Sequence, residues 1–212
     1  MKYGIFVLAF AVSGCVINAD MDRYAAPLTG DQLLDMAQIQ GPPGGDLFTA
    51  PTFDAFMADS AEIGGRALFV NGVVTMRAAS HSRPDRYEVT WRGIRSAGQG
   101  GATTIMLRDA QGRAVAGVRI DQQEIAFLTG EDDDAPVQTP LSNGAHDITI
   151  GVSKGVAGNV DLRVEYLNGN QPVNWPNIDP IDGSFSKLHT VTVETDGGVS
   201  YGFDDMVAWL RN

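Results

Sequence analysis

From about residue 47 to the C-terminus, this 212-residue chain consists of short segments in which apolar and polar residues alternate. Such alternation places apolar side chains on one face and polar side chains on the other, as a half-buried β-strand requires. None of these segments keeps a helical period for long. The pattern predicts strands at residues 67–76, 87–91, 103–108, 114–120, 124–128, 148–152, 160–166, 191–195 and 199–210.

Turn-forming residues recur along this part of the chain, mostly between the predicted strands. The pairs Asn71-Gly72, Asn143-Gly144 and Asn168-Gly169 tolerate positive φ, and residues 109–113 lie between two strands like the tip of a hairpin. Roughly 165 residues arranged in this way bury enough surface for one domain without disulfides. Many antiparallel strands in one domain close into a sandwich or a barrel. The sequence therefore predicts an all-β domain, an antiparallel two-sheet β-sandwich, over residues 47–212.

The first fifteen residues read as a secretory signal. Lys2 is followed by an apolar run that is too short to remain as a transmembrane helix, and the run ends at Gly14 and Cys15. Residues 12–15, Val-Ser-Gly-Cys, resemble the bacterial lipobox. That resemblance implies that residues 1–14 are a lipoprotein signal peptide and that Cys15 is lipidated as the mature N-terminus. Cys15 is the only cysteine, so no disulfide competes for its thiol.

The net charge of the chain indicates which partners it can attract. The formal net charge is −11, and cleavage after Gly14 would remove Lys2 but no acidic residue, which gives −12. An acidic body is repelled by anionic lipid and lacks the positive field that nucleic acid binding needs. We therefore expect the membrane to be reached through the acyl chains and no nucleic-acid partner. Val16 stands where an aspartate would favour the inner membrane in enteric bacteria, so the outer membrane is the expected location.

Residues 15–46 lack a sustained apolar period and are rich in glycine and proline. They are predicted to be a tether with at most a short helix over residues 31–40, which the Gly-Pro-Pro-Gly-Gly stretch at 41–45 would end. A segment docked on an edge of the domain is an equally good interpretation.

The C-terminal half suggests a more particular fold. Residues 144–152, 159–164, 185–193 and 201–207 resemble the concanavalin A-like or laminin G-like jelly roll in their succession of strands and turns. In that family the last strand, which here carries Asp204 and Asp205, returns to lie beside the first. The resemblance spans residues 53–209 and implies that the first strand falls near residues 51–56. It supports the fold more than any activity.

The sequence contains no complete catalytic or metal-binding motif. Residues 151–155 match the Gly-x-Ser-x-Gly pattern of serine hydrolases, but that motif needs a following helix, and here a strand is predicted next, which makes Ser153 a hairpin-loop serine. The Glu-x-Asp-x-x-Glu spacing of glycosidases on this fold does not occur. His81, His146 and His189 lack metal-ligand spacing, and the last two are predicted to be partly exposed strand residues. We therefore expect no enzyme and no cofactor.

One acidic run could bind calcium. Glu131, Asp132, Asp133 and Asp134 offer the hard oxygen ligands that Ca²⁺ prefers. Consecutive acids point in different directions and repel one another, so a solvated loop tip is the favoured interpretation and Asp132, Asp133 and Asp134 are weak calcium candidates. Asp204 and Asp205 are expected to satisfy backbone groups of the last strand.

A predicted long loop at residues 170–183 contains the candidate ligand-binding residues. It places Trp175 beside Asn174, with Asp179 and Asp182 following. An exposed ring among hydrogen-bonding side chains is a plausible platform for a sugar. In the alternative interpretation, Trp175 plugs the end of the sandwich and the prolines stiffen the loop.

The resulting hypothesis is a lipid-anchored protein of the bacterial cell envelope. Its jelly-roll domain would act as a non-catalytic recognition module for a carbohydrate or an envelope protein. The alternatives are a structural envelope protein that packs into a larger assembly and a polysaccharide-degrading enzyme with an unrecognised carboxylate pair.

Overall fold

A computed structural model gives the fold of the chain. It describes residues 15–19, 48–49, 56–78, 86–95, 101–122, 124–128, 139–140, 145–154, 159–166, 173–183, 187–196 and 198–210. Their strands are β1 (Cys15–Ala19), β2 (Phe48–Thr49), β3 (Phe56–Ser60), β4 (Gly65–Val70), β5 (Val73–Arg77), β6 (Arg86–Arg95), β7 (Thr103–Asp109), β8 (Ala114–Ile120), β9 (Glu124–Leu128), β10 (Thr139–Pro140), β11 (His146–Lys154), β12 (Val160–Tyr166), β13 (Val173–Ile178), β14 (Leu188–Thr195) and β15 (Tyr201–Leu210).

The strands form two antiparallel sheets, which confirms the predicted β-sandwich. The eight-stranded sheet has the order β13-β12-β11-β6-β15-β4-β3, with β1 paired to β15. The seven-stranded sheet has the order β10-β9-β8-β7-β14-β5-β2. Alternate residues of both sheets are buried between them, so one apolar core holds the layers together. Within the described ranges there is no helix of the length and hydrophobicity needed to cross a membrane.

One predicted strand is two strands in the structure. The segment expected at residues 67–76 breaks at Asn71 and Gly72, where the φ of Gly72 is 133°. The N–H of Gly72 donates to Oγ1 of Thr195 (2.7 Å), and the N–H of Thr195 donates to the carbonyl of Gly72 (2.8 Å). As a result β4 joins the eight-stranded sheet and β5 joins the seven-stranded sheet. The Asn71-Gly72 pair indicates a turn, but the local pattern does not reveal the change of sheet, because both halves bury alternate residues in the same core.

The prediction of a loop over residues 170–183 was wrong for residues 173–178. Val173–Ile178 form β13, the edge strand of the larger sheet. Pro176 is compatible with this position because an edge strand has one side on which no ladder hydrogen bond is needed. Asn177 has a φ of 59° and β12 carries an irregularity between Val160 and Leu162, so the strand pair bends at this point.

The last strand lies beside the first described strand, as expected for a jelly roll, but that strand is β1 and not a segment near residues 51–56. The last strand, β15, pairs with β6 on one side. On its other side it pairs first with β4 and, after an irregularity between Asp204 and Val207, with β1. Its neighbours are therefore not a strand near residues 51–56, since β3 lies beyond β4 at the sheet edge. Cys15–Ala19, the first five residues of the predicted tether, form β1, whereas the predicted helix at residues 31–40 lies outside the described residues.

A polar network is buried in the core. Trp91 Nε1–H donates to Oη of Tyr201 (2.9 Å), and the same hydroxyl lies 2.8 Å from Nε2 of His146. Since an indole only donates, the hydroxyl oxygen accepts from Trp91, and the same hydroxyl shares a second hydrogen bond with Nε2 of His146. His146 does begin a strand, but the prediction that it is partly exposed was wrong, because this hydrogen bond allows its ring to be buried. His189 is half-buried on β14.

The predicted hairpin tip at residues 109–113 is confirmed. Gly112 has a φ of 79°, and the N–H of Asp109 donates to the carbonyl of Arg113 (3.0 Å). Asp109 Oδ1 accepts the backbone N–H groups of Gln111 (2.9 Å) and Arg113 (3.1 Å), while Oδ2 accepts from Nε (2.8 Å) and an Nη (2.6 Å) of Arg113. Burial raises the pKa of Asp109, but these hydrogen bonds outweigh it and hold the pKa below its ordinary value of 3.8.

Asp109→Asn is expected to reduce stability mainly at neutral pH. Because the pKa of Asp109 is lower in the folded state, its contribution is present above about pH 4 and is lost as the pH falls through the folded pKa. We expect the variant to lose about 1–3 kcal/mol in urea unfolding near pH 7, with a smaller difference near pH 3. An equal loss at both pH values would show that the charge of Asp109 does not stabilise the hairpin.

Candidate functional site

The larger sheet turns one face away from the core. Along β6, Tyr87, Val89 and Trp91 are buried in the core, so the alternate residues Arg86 and Glu88 lie on the opposite side. We call this side the outer face. On β11, the same alternation places Gly151 and Ser153 on the outer face, because Ile150 and Val152 are core residues.

A groove of about 260 Å³ lies on this outer face, across β6, β11, β12 and β13. Most of its lining residues carry polar or charged side chains. They are Arg86, Tyr87, Glu88, Gly151, Val152, Ser153, Asp161, Arg163, Asn174 and Pro176.

Strand register explains why these residues gather. Gly151 is paired with Glu88 on one side and with Arg163 on the other, and Arg163 is paired in turn with Asn174. Residues that pair across neighbouring strands share a face of the sheet. These four residues therefore form one row across the outer face. A second row contains Arg86, Ser153 and Asp161, which are paired in the same manner.

Gly151 gives the groove its depth. It lies in the middle of a row of long side chains and has no side chain of its own, so the floor is low at this point. A Cβ atom built at this position would approach Cβ of Arg163 to 3.4 Å, the carbonyl oxygen of Arg163 to 3.6 Å and that of Tyr87 to 4.0 Å. The sheet therefore has room for a small side chain here, and the backbone does not require glycine.

Hydrogen bonds fix the wall formed by β12 and β13. Asp161 Oδ1 accepts the N–H of Asn177 (3.0 Å), and Asn159 Nδ2 donates to the carbonyl of Asn177 (3.2 Å). These bonds hold Asn177 in its positive-φ conformation beside Pro176. The wall is thus set by contacts between strands before any ligand is present.

The groove offers both donors and acceptors. The guanidinium groups of Arg86 and Arg163 donate, the carboxylates of Glu88 and Asp161 accept, and the amide of Asn174 does both. Guanidinium groups match the geometry of carboxylates, while carboxylates and amides match hydroxyl groups. Two cationic and two anionic side chains balance in the groove, although the chain as a whole carries −11. This chemistry suits a ligand rich in hydroxyl groups that also carries carboxylates.

The structure separates the four residues predicted to bind a ligand. Asn174 is exposed and lines the groove. Trp175 pairs with Leu162 through the backbone, and its side chain lies outside the described part of the structure. Asp179 is exposed and is not among the groove-lining residues. Asp182 Oδ2 accepts the N–H of Ala114 (2.6 Å), and the N–H of Asp182 donates to the carbonyl of Ala114 (3.0 Å), so this residue attaches its loop to β8.

The remaining candidate residues are Ser153, the acidic run and the two aspartates of the last strand. Ser153 lies inside β11 and not in a hairpin loop, and it lines the groove. Asp132, Asp133 and Asp134 lie outside the described residues, as does His81. In the described ranges, no three His, Cys, Asp or Glu side chains are grouped as metal ligands would be. Asp204 is buried and Asp205 is exposed with a φ of 50° at the irregularity of β15.

Sequence reasoning missed most of the groove. The alternation along each strand does place Arg86, Glu88 and Arg163 on polar faces. The same alternation does not tell which strands are neighbours, and this neighbourhood alone brings the residues together.

Comparisons with known proteins support the fold. Neither known protein families nor curated proteins give a match to this sequence. Among solved structures, a sialidase superposes with a TM-score of 0.54 at 8% identity over 76% of this chain, which spans 16% of that protein. Alginate lyase Aly36B gives 0.51 at 11% identity, covering 92% of this chain and 96% of the lyase. A mutant of the same lyase in complex with an alginate trisaccharide gives 0.50 at 10% identity, covering 93% and 99%. At such identities the likeness concerns the fold alone, an antiparallel β-sandwich of the jelly-roll type.

Proposed function

We propose that this chain is an envelope protein whose β-sandwich binds a carbohydrate in the groove on the outer face of the larger sheet. The observation that carries the proposal is the groove itself, because donors and acceptors from four strands line a depression with a glycine at its floor. Sugars are recognised through many hydrogen bonds to hydroxyl groups, and a carboxylated sugar would also engage the guanidinium groups. The solved alginate complex of a protein with a similar fold makes alginate oligosaccharides the natural first probe.

The proposal includes an anchor at Cys15. It is supported by the signal-like residues 1–14 and by the lone cysteine after Val12, Ser13 and Gly14. One acyl chain holds a protein to a membrane only marginally, whereas the three chains of a bacterial lipoprotein would hold it firmly. The acyl chains would then be attached at the first residue of β1. Mass spectrometry of the native protein should find a lipidated Cys15, and an unmodified thiol would contradict this part of the proposal. The outer membrane stays the expected location.

Filling the groove is expected to weaken binding without unfolding the protein. We expect the full-length chain carrying Cys15→Ser to bind an alginate trisaccharide in calorimetry and to prefer it to cellotriose. Adding Gly151→Thr should reduce the affinity for the trisaccharide by about tenfold or more, because the new side chain occupies the groove floor. The melting temperature should change little, since the nearest atom to the new Cβ is 3.4 Å away.

A matched control separates the groove from general effects. Thr104→Leu enlarges a half-buried side chain of the seven-stranded sheet and should leave trisaccharide binding unchanged. Absence of binding to every sugar of a broad glycan array, with and without calcium, would contradict the proposed function. If Gly151→Thr and Thr104→Leu weaken trisaccharide binding equally, the groove is not the binding site.

A second candidate function, degradation of a polysaccharide, is favoured by one observation. The carboxylates of Glu88 and Asp161 line the same groove, and paired carboxyl groups are the usual catalysts of glycoside hydrolysis. Incubation with alginate should decide between the two. New reducing ends that are formed by the parent chain but not by Glu88→Gln would favour the enzyme. Binding with no change in polymer length would favour recognition.

A further inference from the structure

The outer face continues well beyond the groove. Along β6 the outward positions after Glu88 are Thr90, Arg92 and Ile94. Six residues of strand separate Glu88 from Ile94, which corresponds to about 20 Å. The face is therefore several times longer than a single sugar unit.

The middle of this face is low and polar. Thr90 pairs with Thr149 of β11, and the next outward pair is Arg92 with Asp147. Arg92 and Asp147 approach to 4.0 Å and both side chains are substantially exposed to solvent. Thr149 is itself buried, as is Asp204, which pairs with Arg92 on the side of β15. Thr90, Arg92 and Ile94 are only half-buried, so the surface that a ligand can reach between the groove and Ile94 follows β6.

An aromatic side chain lies at the far end. Leu68 and Val70 of β4 are core residues, so Phe69 between them lies on the outer face, where it is half-buried. It pairs with Gly202 of β15, which pairs with Ile94 on its other side. A Cβ atom at Gly202 would lie 2.6 to 2.9 Å from three atoms of the Phe69 ring. The ring therefore occupies the space above Gly202, and together with Ile94 it forms what we call the aromatic end of the outer face.

We propose that the groove and the aromatic end are two parts of one binding track for an extended polysaccharide. The chain would run along β6, with its hydroxyl and carboxylate groups at Arg86, Glu88 and Arg163. The apolar face of a more distant sugar ring would pack on Phe69 and Ile94, since aromatic rings provide apolar area suited to such contacts. This inference rests on the proposed carbohydrate function, and it specifies a polymer as the ligand and adds a second subsite.

A series of ligand lengths tests the track. Full-length protein with Cys15→Ser would be titrated with alginate trisaccharide, hexasaccharide and octasaccharide. We expect the octasaccharide to bind about tenfold more tightly than the trisaccharide, because only the longer ligand reaches both ends. Phe69→Ala should abolish most of this gain while changing trisaccharide affinity by less than about twofold.

Conservative variants guard against a loss of structure. Phe69→Tyr keeps the ring and should keep the gain with length, whereas Ile94→Asp places a charge beside the same subsite and should reduce it. Urea unfolding of each variant reports whether the sandwich is intact. If Phe69→Ala unfolds the protein, the comparison of Ile94→Asp with the parent carries the test.

The possible outcomes are distinguishable. If the trisaccharide does not bind, the proposed function itself fails. If the trisaccharide binds but affinity does not rise with length, or if Phe69→Ala weakens every length equally, the track is wrong and the groove stands alone. A concentration-dependent dimer in sedimentation that disappears in Phe69→Ala would also overturn the track, because the aromatic end would then be a contact between two copies of the chain.

Discussion

Replacing Gly93 with alanine is expected to lower the free energy of unfolding by about 3–5 kcal/mol. Gly93 lies on the core side of β6, and a Cβ atom at this position would overlap Oη and Cζ of Tyr201. The Tyr201 ring would have to move, and its hydroxyl bonds Trp91 and His146 within the core. Close packing leaves no space for that movement, so the substitution combines a steric clash with the loss of buried hydrogen bonds. Urea unfolding of the parent and the variant measures the effect.

Gly151→Ala is the matched control for this prediction. Both glycines lie in neighbouring strands of the larger sheet, so the change in strand propensity and in denatured-state entropy is similar. The nearest atom to a Cβ at Gly151 is 3.4 Å away, and this position faces away from the core. We expect its stability to change by less than about 1 kcal/mol. Similar losses in the two variants would mean that the contact with Tyr201 is not the cause.

Tyr201→Phe is expected to cost about 2–4 kcal/mol although it removes a single oxygen atom. The hydroxyl accepts from Trp91 Nε1 at 2.9 Å and lies 2.8 Å from Nε2 of His146. All three residues are buried. Without the hydroxyl, the indole N–H and the imidazole nitrogen both lose this hydrogen bond in a region that water does not reach. A buried polar group that loses its partner costs more than the hydrogen bond contributes.

A double-mutant cycle identifies the network as the source of this loss. Trp91→Phe removes the donor, so Tyr201→Phe in that background should be less destabilising than in the parent chain. We expect a coupling of about 1 kcal/mol or more between the two positions. Additive losses would show that the indole and the hydroxyl contribute independently, and a loss below about 0.5 kcal/mol for Tyr201→Phe alone would contradict the network.

The fold was predictable where its causes are local. The strands at residues 114–120, 124–128 and 160–166 were predicted with the bounds that the structure shows. Alternation of polar and apolar residues within one segment already fixes which side chains face the core. The hairpin at Asp109 was predictable for the same reason, because its carboxylate and Gly112 act on residues no more than four positions away.

Features that depend on distant residues were not predictable. The burial of His146 requires Tyr201, which is 55 positions away. The separation of β4 and β5 into different sheets is accompanied by bonds between Gly72 and Thr195, which are 123 positions apart. The edge strand β13 contains a proline that weighs against a strand in any local assessment.

The sequence by itself determined the all-β class, most of the strands, the hairpin at Asp109–Arg113 and the face on which each strand presents its polar residues. Only the tertiary structure decided which polar faces lie side by side. The groove draws on residues of β6, β11, β12 and β13, and the aromatic end of the outer face draws on Phe69, Ile94 and Gly202. The physical reason is that a period of two residues specifies a face, whereas the order of strands in a sheet is set by packing between segments far apart in the chain.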